Sequence, residues 1–338
     1  MRRFGALLLA FCFLAVTATV GRAAESDEPV IPADAYLVMD ATTGEVLLAH
    51  EAHTQLPMAS TTKIMTALVA LERGNLQDVV TVGQKPYDTG GTTIWLDMGE
   101  QQTLENLLKA LMLESANDAA VAIAEHLGAG HEETFVQMMN DRAREMGLQQ
   151  THFANSHGLH DPDHYTTAYD LAVMARVAMQ NPAFRQLVSL EEATIPGYKQ
   201  NPPRELHSHN QLLGYYEGAN GVKNGFTEEA GLTNVASARR GDTELIAVVL
   251  GAQNRLWTSS MALLDWGFSH HQTRPVVQTK EAAPANAAAK PPAPAPAPEV
   301  EPAGAGPSVL RWPWWIAGAA GTAAAGGWAA LRFVRRTR

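Results

Sequence analysis

The chain has 338 residues, of which 46% are hydrophobic and 18% charged, with a formal net charge of -10 and a single cysteine. The eight arginines of residues 1–23 and 311–338 stand in segments without acids, leaving 17 basic against 35 acidic residues in between. A body this acidic is a poor partner for nucleic acid or an anionic lipid surface.

In chain order, Met1-Arg2-Arg3, the apolar run Phe4 to Val20 and the small-residue site Gly21-Arg22-Ala23 read as a secretory signal peptide over residues 1–23. Cys12 lies inside that run, so the exported chain carries no thiol for a disulfide, a metal or catalysis. The alternating segments Tyr36 to Asp40 and Val46 to His50 flank a Thr-Thr-Gly turn and predict a hairpin. A helical period at Ile64, Met65, Ala67, Leu68 and Leu71 predicts a helix after Ser60 that ends near Gly74. Further helices are predicted over Leu104 to Met112, Ala119 to Leu127, Thr134 to Met146 and Ala168 to Met179. Strands are predicted over Gly221 to Thr227, Gly231 to Ala238 and Leu245 to Gly251, and a closing helix over Trp257 to Phe268. Strands at both ends with helices between them predict an α+β fold. Its antiparallel sheet would be covered by the first and last helices, with an inserted helical lobe and a cleft between sheet and lobe.

The folded part is therefore read as residues 31–274. Residues 279–308, mostly Ala, Pro and Glu, read as a linker. The twenty uncharged residues 312–331 are long enough to cross about 30 Å of hydrocarbon as a helix. Trp312, Trp314 and Trp315 mark one interface, and the basic tail 332–338 marks the cytoplasmic side. The expected location is the cell membrane, with a single pass and the folded domain on the extracytoplasmic side.

Three segments carry the chemistry. Ser60 and Lys63 are one helical turn apart, the spacing of a nucleophile and a base whose pKa burial or nearby positive charge would lower. Backbone N–H groups in a first helical turn lack intrahelical partners, so that of Ser60 can face an oxyanion. Ser115 and Asn117 place a hydroxyl and an amide between two helices, and Lys223-Asn224-Gly225-Phe226-Thr227 places a cation and a glycine on a strand. Each alone also reads as ordinary structure: a capped helix, a second cap, and an edge strand with a solvated lysine.

Together, S-x-x-K, then S-x-N, then K-x-G form the set found in penicillin-binding proteins and class A β-lactamases. The stretches Met58 to Leu68, Ser115 to Val121, Asn155 to Leu159, His164 to Ala172 and Gly221 to Leu232 resemble the low-molecular-weight D-alanyl-D-alanine carboxypeptidases, the S11 peptidases, over nearly all of residues 31–270. The resemblance implies a β-lactamase/transpeptidase-like fold and removal of the terminal D-Ala from peptidoglycan stem peptides through an acyl-enzyme, with β-lactams as covalent inhibitors. It implies Ser60 as nucleophile, Lys63 as base, Ser115 as proton relay to the leaving amine, and Asn117 as holder of the substrate amide. Lys223 would bind the terminal carboxylate, the N–H groups of Ser60 and Phe226 would form the oxyanion hole, and Gly225 and Thr227 would line the substrate strand. Arg255 is the candidate for a carboxylate-binding arginine before the last helix.

Two departures stand out: Asn224 occupies the place where the family usually has Thr, and residues 275–310 are too short and Pro-rich for the family's small β-domain. No cofactor is implied. The segment with His152, His157, His160, Asp161, Asp163 and His164 offers metal-ligand types, but its spacing fits no common ligand pattern, and it is read, with His207 and His209, as a polar loop over the core. A class A β-lactamase would add a glutamate after Asn155, for which the chain has no clear counterpart. A cross-link-cutting endopeptidase and a wall-peptide-binding protein with little turnover are the other readings of the same motifs.

Overall fold

The computed structural model describes residues 27–273. The segments read as signal peptide (1–23), linker (279–308), membrane helix (312–331) and basic tail (332–338) lie outside the described residues. Among the described residues no helix is long and apolar enough to cross a membrane.

Strands β1 (Ala35–Asp40) and β2 (Val46–His50) form the predicted hairpin, closed by Asp40, whose Oδ1 accepts the N–H groups of Thr42 and Thr43 at 2.8 and 2.6 Å. At the other end of the domain, β7 (Ala219–Thr227), β8 (Gly231–Arg240) and β9 (Thr243–Ala252) form a meander. The two sets join through β1 and β9 into one antiparallel five-stranded sheet of order β2-β1-β9-β8-β7. β7 is therefore an edge strand with one row of backbone groups unpaired within the sheet.

Both faces of the sheet are covered, and the period-2 alternation shows how. On β9, Ile246, Val248 and Leu250 point to the main core, while Leu245, Ala247 and Val249 point to a second core. The second core is completed by Leu256, Leu263, Leu264 and Phe268 of the closing helix α8 (Leu256–Thr273).

Between the two halves of the sheet lie α1 (Lys63–Arg73), the short β3 (Val79–Thr81), α2 (Gln84–Asp88), β4 (Gln101–Thr103), α3 (Leu104–Leu113), α4 (Asn117–Leu127), α5 (Glu132–Glu145), α6 (Ala168–Ala178), α7 (Pro182–Val188), and the hairpin of β5 (Glu192–Ile195) and β6 (Arg204–His207). The first helix, expected to cover the sheet, takes a different place. In the structure α6 lies along β1 and β9, and α1 is buried all round between α6, α3, α4 and α5, with every residue from Lys63 to Ala70 buried. A helix that is buried on all sides is a central one, and this puts Lys63 in the interior.

Candidate active site

The site begins at a short 3₁₀ turn, Ala59–Thr62, that leads into α1. Ala59 has φ +48, a left-handed conformation costly for a residue with a Cβ. The turn is held from several sides. Thr61 and Thr62 donate their hydroxyls to the carbonyls of Met58 and Ala59 at 2.7 Å each, and Thr233 of β8 donates to Met58 at 3.1 Å. His164 Nδ1 accepts the N–H of Ala154 at 3.0 Å, which leaves the proton on Nε2 to donate to Thr62 Oγ1 at 2.7 Å. Burial first, then the neighbouring charge of His157, pushes His164 down to about 3, so it stays neutral and serves as a fixed strut.

Lys63 is fully buried, and its Nζ lies 3.0 Å from Ser60 Oγ, 2.7 Å from Asn117 Oδ1 and 2.6 Å from the carbonyl of His157. Burial, reinforced by the Lys223 ammonium and opposed by the Asp118 carboxylate, holds its pKa well below the ordinary lysine value. A neutral amine has two N–H bonds and one lone pair. With the carbonyl oxygens of Asn117 and His157 taking the two N–H bonds, the lone pair is left facing Ser60 Oγ, the geometry of a base able to receive the serine proton.

Asn117 begins α4, and it does so without capping it. Helices α3 and α6 start under Thr103 and Thr167, whose hydroxyls accept the N–H of Asn106 and Asp170. Helix α4 has no side-chain cap, since its N-cap residue is Ala116, and Asn117, the first helical residue, sends Oδ1 to Lys63 and donates Nδ2 to the carbonyl of Gly90 at 2.9 Å. Ser115, nearly buried with φ +59, forms the left-handed corner between α3 and α4.

The third side of the site is β7. Lys223 and Gly225 share one face of the strand, and Asn224 and Phe226 the other. Lys223 is buried and donates to the carbonyl of Asn224 at 2.9 Å, and burial pushes its pKa down to about 7. Gly225 admits the serine turn: a Cβ there would stand 2.5 Å from the backbone N of Ser60 and 2.8 Å from Thr233 Oγ1. Phe226 is exposed, and Thr227 Oγ1 accepts the N–H of Ala230 in the turn to β8.

Asn224 lines an adjoining cleft of about 660 Å³ with Arg255, His209, Ser208, Leu232 and Trp257. Arg255 sits immediately before α8 with φ +55. The structure thus brings Ser60, Lys63, Asn117 and Gly225 into direct contact, sets Lys223 within charge range of Lys63, and places Asn224 and Arg255 together in the next compartment.

Several participants carry no sequence signal. His157 acts through its backbone carbonyl, which any residue could supply. The signal beside it is Gly158, whose Cβ would come within 2.0 Å of the Ala59 carbonyl. Behind that loop the buried Glu132 accepts the N–H and Oγ–H of Ser156 at 3.0 and 2.6 Å, and Lys85 reaches the same carboxylate at 3.0 Å. His209 was read from the sequence as a polar loop residue. It lies in the loop after β6 and also lines the Arg255 cleft, facing Glu114 at 3.4 Å, and burial together with Lys223 lowers its pKa. Among the described residues no group of three or more His, Asp or Glu side chains is arranged to hold a metal ion.

Residues 22–254 match the sequence model of the D-alanyl-D-alanine carboxypeptidase family, Peptidase S11. The chain belongs to this family. It is 34% identical over 286 residues to the D-alanyl-D-alanine carboxypeptidase DacF of Bacillus subtilis, covering 82% of this chain and 72% of that protein. It is 36% identical over 259 residues to the carboxypeptidase DacD of Salmonella typhimurium, covering 72% of this chain and 65% of that longer relative. Among solved structures, the Streptomyces K15 DD-transpeptidase superposes with a TM-score of 0.68 at 33% identity, over 72% of this chain and 99% of that one. The fold of this S11 peptidase is thus the penicillin-binding, β-lactamase-like fold.

Proposed function

We propose that this D-Ala-D-Ala carboxypeptidase works through an acyl-enzyme on Ser60, and the observation that carries the reading is the triple contact of Lys63 Nζ. Lys63 takes the proton of Ser60, and Oγ attacks the carbonyl of the penultimate D-Ala. The oxyanion forms against the N–H of Ser60, with that of Phe226 on β7 as second donor. Ser115 passes the proton to the leaving amine, terminal D-Ala departs, and water then cleaves the ester to restore Ser60 and release the shortened peptide. Asn117 holds the substrate amide. The unpaired edge of β7 offers the stem peptide a strand to pair with, lined by Gly225 and Thr227. The positive charge of Lys223, with Asn224 and Arg255 in the adjoining cleft, receives the terminal carboxylate. A strained β-lactam enters by the same route and stays as the ester.

The test is incubation with an N-acylated peptide ending in D-Ala-D-Ala. Release of free D-Ala by the wild type and none by Ser60→Ala supports the reading. A peptide bound and left intact would make the protein a wall-peptide binder, and cleavage confined to cross-linked dimers would make it an endopeptidase.

We further infer a membrane tether. The support is the uncharged run 312–331 between tryptophans and arginines, preceded by the Ala/Pro linker 279–308 and followed by the basic tail 332–338. With the signal peptide 1–23 removed, the domain 31–274 would work outside the cytoplasm, at the wall. Extraction from membranes by detergent and not by high salt is expected; full release by salt would overturn the tether.

A further inference from the structure

Beside the Asn117 wall of the site lies a second pocket of about 350 Å³, lined by Tyr87, Thr89, Thr93, Trp95, Asp97 and Asp118 among others. Its most exposed member is Trp95, with 83% of its surface open to solvent, and Tyr87 is half-exposed at 53%. Large aromatics left in water next to a cleft are unusual enough to ask what covers them.

Trp95 is held there against its own preference. Its φ is +59, a left-handed conformation that is a genuine outlier for a bulky side chain. Such a conformation persists only where the surroundings over-determine it, and here they do. The buried carboxylate of Asp118 accepts the N–H of Ile94 at 3.2 Å and of Leu96 at 3.0 Å, one residue to either side of Trp95. From the opposite side Arg204, on the β5–β6 hairpin, donates to the carbonyl of Trp95 at 3.2 Å while paired with the fully buried Glu100 at 2.6 Å. The backbone is clamped on both sides of a residue left 83% open to solvent. The clamp therefore displays the ring.

The pocket's chemistry narrows the occupant. Two aromatic rings offer flat apolar faces, while the hydroxyl of Thr89 and the carboxylate of Asp97 offer acceptors on the rim. The Thr93 hydroxyl oxygen is buried with no hydrogen-bond partner. Asp97 and Asp118 disfavour an anionic ligand. A volume at the low end of small-molecule sites, about 300–1,000 Å³, suits a single ring. A neutral ring with one apolar face and several hydroxyl or amide donors is a sugar. The pocket also adjoins the catalytic side: Asn117, in contact with Lys63, donates to Gly90, five residues before Trp95, and Asp118, the next residue along α4, lines the pocket.

We propose that the Tyr87–Trp95 pocket binds the amino-sugar ring from which the stem peptide hangs, so that the enzyme recognises glycan-linked peptide above free peptide. This rests on the wall-peptide reading given above. Aromatic contacts of this kind are worth about tenfold in affinity.

The experiment compares kcat/KM on a free stem peptide and on the same peptide carried by its N-acetylated disaccharide. It uses the wild type, Trp95→Ala, Trp95→Phe and Tyr87→Ala, with binding of the peptide-free disaccharide followed by tryptophan fluorescence. Wild type should prefer the glycan-linked substrate by about tenfold, through KM. Trp95→Ala should remove that preference and leave free peptide within about twofold, and Trp95→Phe should restore most of it. Equal loss on both substrates, or no change on either, would overturn the proposal. If wild type releases no D-Ala from either substrate, the carboxypeptidase reading fails by itself, and the fluorescence decides the pocket. A disaccharide-dependent change absent from Trp95→Ala supports it, and no change in wild type overturns it.

Discussion

Gly225 on β7 faces the backbone nitrogen of Ser60 so closely that a Cβ at position 225 would lie 2.5 Å away. The edge strand and the first turn before α1 thus meet backbone to backbone, and this contact sets where an oxyanion on the attacked carbonyl would sit. Gly225→Ala should push the two apart and cost about 10²-fold in the rate of penicillin acylation, the scale of losing one oxyanion donor. Thermal unfolding would check that the sheet is intact. An alanine variant that acylates at the wild-type rate would show that the contact has no part in the reaction.

Lys63 and Lys223 are both buried and both depressed, with opposite requirements: Lys63 must be neutral to accept a proton and Lys223 charged to hold a carboxylate. The pH profile of kcat/KM should be a bell whose alkaline limb falls near 7, where Lys223 loses its proton. Lys223→Arg should move that limb upward, because a guanidinium stays protonated. Lys63→Ala should lower kcat/KM by at least about 10² across the range. An alkaline limb that stays in place in Lys223→Arg would assign it to another group.

Much of this was legible in the chain. The hairpin of β1 and β2, the helical middle and the three C-terminal strands follow from periodicity, since each has one long apolar pattern. The paired short strands β3 with β4 and β5 with β6 escaped, because VVT, QQT, EATI and RELH are three or four residues long and their pairing is stabilised by distant partners such as Glu100 with Arg204. Ser60, Lys63, Ser115, Asn117 and Lys223 could be picked out because their side chains carry recognisable chemistry at fixed spacings. The carbonyl of His157, the strut from His164 to Thr62 and the place of His209 in the Arg255 cleft depend on how remote segments meet, and no local pattern encodes that.

The Lys223 shift also has a stability consequence. Its pKa falls from 10.5 to about 7 on folding, so between those values the unfolded chain binds the extra proton and stability rises with pH. Below pH 7 the full cost of burying the charge is present, and it is relieved as pH climbs toward 10.5. Lys223→Met, inactive but isosteric, should therefore unfold at a higher temperature than wild type at pH 6, by the equivalent of about 2–4 kcal/mol, with the gap closing toward pH 10. A pH-independent difference in melting temperature would show that Lys223 is solvated in solution.

Asn224 stands where the family usually has Thr, on the wall of the cleft with Arg255. An amide is bulkier than a hydroxyl and sits differently against a carboxylate. Asn224→Thr should raise kcat/KM on peptides ending in D-Ala-D-Ala by up to about tenfold, one modest hydrogen bond. Steady-state kinetics on one peptide suffice, and unchanged or reduced activity would mean that His209 and Arg255 have already adjusted the cleft to the amide.

The most direct measurement is the mass of the intact protein and its peptides after exposure to a penicillin. The account predicts a single covalent adduct carried by the peptide that contains Ser60, absent from Ser60→Ala and slow to form in Lys63→Ala. Labelling that persists in a folded Ser60→Ala, or a folded wild type that never takes up the drug, would contradict it.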